Sequence, residues 1–113
     1  MKHLLFCIFL LSLRACHAGK GEEPVGVIPQ EQMIQVLADM HVADAVVDNK
    51  SGAQMPNQPL TNALYTRIYK NRGITAQQFK DSYKYYEDHP ELLDNIYVQV
   101  ITELSKREAL LNK

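Results

Sequence analysis

Residues 29–48, PQEQMIQVLADMHVADAVVD, decide how this chain is read. Met33, Val36, Leu37, Met40, Ala43 and Val47 recur three and four apart, the spacing of one face of an α-helix. Pro29 suits the first helical position, where a missing N–H costs nothing. The same stretch holds an oddity. Take Met40 as the centre of the apolar face and advance about 100° per residue. Met33, Val36, Ala43 and Val47 then fall within about 60° of it. Asp44 falls about 40° away, inside the stripe, and His41 and Asp48 lie at its edge, at about 80–100°. Asp39 lies at about −100°, on the opposite flank, away from that group.

C-terminal to this helix, NKSGAQMPNQP (residues 49–59) is a loop by composition. A second helix follows from about Leu60 to Arg72, with Leu60, Leu64, Ile68 and the pair Tyr65/Tyr69 at helical spacing, and Gly73 as its C-terminal cap. Thr75 and Gln78 have capping-box spacing for a third helix, which turns Phe79, Tyr83 and Tyr86 inward. In DHPE (residues 88–91), Asp88 or His89 caps and Pro90 enters the first turn of a fourth helix that runs to about Leu111. Its Leu93, Tyr97, Val100 and Leu104 form a seam-like stripe, which also suits pairing with a second copy. No segment alternates with period two, and no internal repeat is present. The expected fold is all-α, a small four-helix, bundle-like domain over residues 29–113. A domain of that size buries one modest core, without a deep enzyme cavity as well.

The N-terminus reads as an address. After Lys2 and His3, Leu4 to Leu13 (LLFCIFLLSL) is an apolar run broken only by Ser12. It is too short to span roughly 30 Å of hydrocarbon as a helix, and fits the core of a secretory signal. LRAC (residues 13–16) resembles the lipobox of bacterial lipoproteins, although Arg14 departs from the usual small or uncharged residue. That resemblance implies cleavage before Cys16, a diacylglycerol on its thiol and an acylated amine. Three acyl chains anchor firmly at about 0.8 kcal/mol per buried CH2. The alternative is ordinary signal cleavage after Ala18. Residues 1–15 are thus expected to be a cleaved lipoprotein signal and 16–28 a flexible tether to the outer membrane, the domain facing the periplasm or the cell surface. Glu22 and Glu23 fit either a signal for surface display or a solvated linker.

On the lipoprotein reading Cys7 would leave with the signal and Cys16 would be lipidated, leaving no thiol for a disulfide, a redox motif or a zinc site. The mature chain loses Lys2 and Arg14 from 12 basic residues and keeps all 13 acids, for a net charge of −3. With no basic block, the composition speaks against nucleic-acid binding.

Two stretches, EPVGVIPQEQMIQVLADMHVADA (residues 23–45) and FKDSYKYYEDHPELLDNIYVQVITEL (residues 79–104), resemble an uncharacterised family of small lipoproteins of Bacteroidota, known as a domain of unknown function. The matching positions are Ile28, Pro29, Leu37, Asp39, His41, Asp44, Ala45, Tyr85, Tyr86, Pro90 and Glu91. The resemblance implies an all-helical, lipid-anchored envelope protein, and it implies no activity.

The group His41, Asp44 and Asp48 admits three readings. Asp44 is a buried polar group satisfied by His41, a tyrosine hydroxyl or Arg67, because a buried carboxylate without partners is costly. Alternatively, the group lines a groove that binds a ligand or a partner segment. In the third reading it holds a divalent ion, which would need a second helix to complete the site; His89 is the only other histidine of the folded part. We expect no metal and no cofactor. Six tyrosines and no tryptophan form the other bias, with Tyr85 pointing away from the Tyr83/Tyr86 pair. They read as a core edge with wet hydroxyls, or as an aromatic binding surface of which Tyr85 is the exposed member. Ser51, Ser82 and Ser105 sit in no nucleophile motif, and no HExxH or Gly-rich phosphate loop occurs. The expected function is a non-enzymatic module that docks on another envelope protein through His41, Asp44, Asp48 and Tyr85. The alternative is a lipoprotein that binds a small ligand or a glycan.

Overall fold

The computed structural model describes residues 23–51 and 58–113. The expected signal peptide, Cys16, the expected tether up to residue 22 and most of the loop expected at 49–59 lie outside the described residues. Among the described residues the fold is all-α: α1 (Gln30–Ser51), α2 (Gln58–Arg72), α3 (Ala76–Glu87) and α4 (Pro90–Leu111). Helix α1 packs on both α2 and α4, and α3 packs on α4. Side-chain bonds give the directions. Asp44 meets Tyr65 and Asp39 meets Arg72, so α1 and α2 run antiparallel. Gln30 meets Asn95 and Asp39 meets Arg107, so α1 and α4 run parallel.

The apolar face expected in α1 is the core: Met33, Val36, Leu37, Met40, Ala43 and Val47 are all buried. Ala38, about 160° from Met40 on the helical wheel, is fully buried as well. Packing against two helices buries α1 on more than one side. On α4 the most buried residues are Ile96 and Val100, whereas Leu93, Tyr97 and Leu104 are half-buried. The expected stripe left out Ile96 because α4 meets both α1 and α3, which widens its buried face beyond one seam.

Local chemistry sets the helix ends. Gly73 adopts φ +68. Its N–H donates to the Lys70 carbonyl, and the Ile74 N–H donates to the Tyr69 carbonyl at 3.0 Å. This is the Schellman pattern, and it needs a left-handed residue. Ile74 turns back into the core next to Tyr69. Thr75 accepts from the Gln78 N–H at 3.0 Å and starts α3. His89 occupies the N-cap of α4 without a side-chain capping bond, and Pro90 follows in the first turn.

The packed domain reaches back beyond Pro29, into the segment expected to be tether. Ile28 is fully buried. Its N–H donates to Ser82 Oγ at 2.8 Å, and its carbonyl accepts from the Tyr86 hydroxyl at 2.6 Å. Two buried side chains of α3 thus satisfy both backbone groups of a residue outside any helix, as burial requires. Glu23 also joins the fold: its carboxylate accepts from the Gln30 N–H at 3.3 Å, at the start of α1, where a negative charge is favoured.

Replacing Tyr86 by Phe keeps the ring and leaves the Ile28 carbonyl unsatisfied. We expect a loss of about 1–3 kcal/mol in urea denaturation; an unchanged midpoint would mean that the hydroxyl does not hold the N-terminal segment down.

Candidate functional site

The stripe acid Asp44 is half-buried and accepts a hydrogen bond from the Tyr65 hydroxyl at 2.8 Å. Of the partners considered from sequence, a tyrosine fills the role; Arg67 lies on a different groove. Around Asp44 is a pocket of about 230 Å³ lined by Leu37, Met40, His41, Tyr65, Phe79, Tyr83 and Tyr97 as well as Asp44 itself. All four helices contribute. Aromatic packing builds its wall: Phe79 lies 5.9 Å from Tyr83 and 5.7 Å from Tyr69, centroid to centroid. The Tyr83 and Tyr97 hydroxyls bond to each other at 2.7 Å and join α3 to α4. Burial and the bond to Asp44 push the Tyr65 hydroxyl up to about 12. The bond to Tyr83, with burial, does the same for Tyr97. Both hydroxyls therefore stay protonated at neutral pH.

The structure brings only part of the expected patch together. His41 is exposed and lines the pocket beside Asp44. Asp48 is exposed, one turn further along α1, and does not line it. Tyr85 is neither exposed nor part of the pocket lining. It is half-buried, packs edge-on against Tyr86 at 5.3 Å and lies against the His89 ring at 4.2 Å. His89 Nδ1 reaches the Tyr85 carbonyl at 2.7 Å; a carbonyl only accepts, so this nitrogen carries the proton. Among the described residues, no three His, Cys, Asp or Glu side chains converge as a metal site would require.

The polar centre that sequence reasoning passed over is Asp39. Arg72 grips it with two bonds, from Nε at 2.7 Å and from the terminal nitrogen at 3.0 Å. Arg107 adds a third at 2.8 Å, and also bonds Gln35 and Glu103. One carboxylate of α1 thus ties α2 to α4. Burial alone would raise the Asp39 pKa; the bonds and charges of Arg72 and Arg107 outweigh it and hold the group below the usual carboxylate value. Gln32 adds a bond from its amide to the Arg72 carbonyl at the end of α2.

A second, larger groove of about 460 Å³ lies between α1 and α2 on the Asp39 side. Val42, Val46, Leu64 and Ile68 are among its walls, and Arg67 and Asn71 also line it.

The chain belongs to the family described as a domain of unknown function (DUF4296), whose model matches residues 24–109 and so takes in α1 to α3 and all but the last two residues of α4. No curated protein and no solved structure matches it.

The Asp39 clamp has a pH signature. A carboxylate whose folded pKa is depressed contributes stability that is fully present above its unfolded pKa, about 3.9, and is lost as pH falls through the folded value. We expect Asp39→Asn to be less stable than wild type at pH 7, with the gap narrowing below about pH 4. A gap independent of pH, measured by urea denaturation across that range, would contradict an ionic clamp.

Proposed function

We propose that this member of the family is a non-enzymatic interaction module of the cell envelope. Lipid on Cys16 holds it at the outer membrane, and its tyrosine-walled pocket receives one side chain of a partner envelope protein. The size of the pocket carries the reading. At about 230 Å³ it falls below the roughly 300–1,000 Å³ of sites that enclose small ligands, and it suits a single large side chain. Interfaces draw most of their energy from a few such anchors seated in pockets. Tyrosine is enriched in such surfaces because it supplies apolar area with a polar tip.

The LRAC stretch supports the anchor, in keeping with the small lipoproteins of Bacteroidota that the chain resembles. No helix among the described residues is long and apolar enough to cross a membrane; in this reading attachment comes from the acyl chains. Metabolic labelling with an alkyne-bearing fatty acid is expected to mark the wild type and not Cys16→Ala. Equal labelling of the two would refute lipidation at that residue.

One observation favours the small-ligand or glycan reading. The groove between α1 and α2, at about 460 Å³, lies within the small-ligand range. A ligand that fills it would raise the melting temperature, and a flat response across envelope glycans and nutrients would count against it.

The interaction reading is tested by a photocrosslinking amino acid at position 41 of the full-length protein in living cells. The expected result is one recurrent protein adduct that is absent when the crosslinker is placed at exposed Asn71. Failure to capture any specific protein from position 41 would overturn it.

A further inference from the structure

The lining of the pocket specifies the side chain it would take. Four aromatic rings, of Tyr65, Phe79, Tyr83 and Tyr97, line an open pocket whose single acid is Asp44, with Leu37 and Met40 as aliphatic surface and the exposed His41 at its side. No lysine or arginine lines it. The Tyr65 hydroxyl bonds one oxygen of Asp44. A carboxylate offers about four acceptor positions, so capacity remains for a second donor. Further negative charge stands nearby: Asp48 is exposed one turn along α1, and the charge of Glu87 acts on the Tyr97 hydroxyl. Aromatic rings attract cations through the negative face of their π systems, most strongly where water is excluded.

From this juxtaposition we propose that the pocket is a receptor for a primary alkylammonium group, a lysine side chain of the partner protein. The inference rests on the interaction reading above and names its partner's chemistry. The alkyl stem packs on Leu37 and Met40, and the ammonium meets Asp44 among the rings. Lysine fits better than arginine. A guanidinium gains most from a bidentate grip on a free carboxylate, whereas an ammonium acts as a compact point charge. A fork would have to share one of its two oxygens with the Tyr65 hydroxyl, whereas a point charge needs only one of the acceptor positions that remain.

The test uses the full chain in detergent, isotope-labelled, with amide chemical shifts followed during titration with n-butylammonium chloride. 1-Butanol serves as the neutral counterpart of similar size. Butylammonium is expected to shift the amides around Met40, His41, Asp44, Tyr83 and Tyr97, and butanol is not. Asp44→Asn, which can still accept from Tyr65, should weaken binding by about threefold to tenfold. Tyr97→Leu should weaken it similarly, whereas Tyr97→Phe keeps the ring and should retain it. Equal shifts with butanol would reduce the site to an apolar cavity and overturn the proposal. Tighter binding of propylguanidinium, or no shifts at all, would overturn it too. A specific adduct from position 41 combined with no butylammonium binding would leave the interaction module standing and remove only the lysine.

Discussion

The grip of two arginines on Asp39 is the constraint around which the fold is arranged. Three short bonds, from Arg72 on α2 and Arg107 on α4, converge on one carboxylate of α1. Asp39 and Glu103 balance the two guanidiniums, so the cluster carries no net charge. A fully buried ion pair that loses one partner costs about 3–5 kcal/mol, because a charge is stranded. The Asp39 side chain keeps a fifth of its surface exposed, so its share is smaller. Charged forks fix distance and angle, whereas apolar contacts tolerate sliding.

That constraint also accounts for where the pocket lies. On α1, Asp39 and Asp44 point about 140° apart. The clamp draws the ends of α2 and α4 to one flank, while the other flank meets Tyr65, Phe79, Tyr83 and Tyr97. Tyrosines close that flank by bonding to one another and to Asp44, so each hydroxyl tip is satisfied and each ring faces apolar neighbours. A small domain with few fully buried side chains relies on such half-buried polar links in addition to its core. The fastening of Ile28 by Ser82 and Tyr86, and of the start of α1 by Glu23, follows the same logic.

Legibility in the sequence tracked distance along the chain. The buried face of α1, the left-handed Gly73 and the Thr75 cap are local, set by spacing and by the chemistry of single residues, and all three can be read directly. Asp39 could be placed on its flank by counting, but its partners lie 33 and 68 residues away. Nothing in the pattern of α1 shows which helix ends that flank will meet. Ser82 reads as an ordinary polar residue until Ile28 folds back on it. Tyr85 failed for a different reason. Counting along the helix separates it from Tyr83 and Tyr86, but its ring packs on Tyr86, and His89, one turn on, covers it with its own ring. Reading that histidine as a helix cap or a candidate ligand hides the contact. Asp44 was legible as a problem, a carboxylate in an apolar stripe, and only the assembled fold identifies Tyr65 as its partner.

The most direct test of this account is a mutant cycle on the clamp. Arg72→Ala and Arg107→Ala, singly and together, would be compared in the Asp39 and the Asp39→Ala backgrounds by urea denaturation. If one carboxylate organises both arginines, the two substitutions are non-additive with Asp39 present, by about 0.5–3 kcal/mol, and become additive without it. Additivity in both backgrounds would mean that the arginines act independently, and that apolar packing alone holds the helices in place.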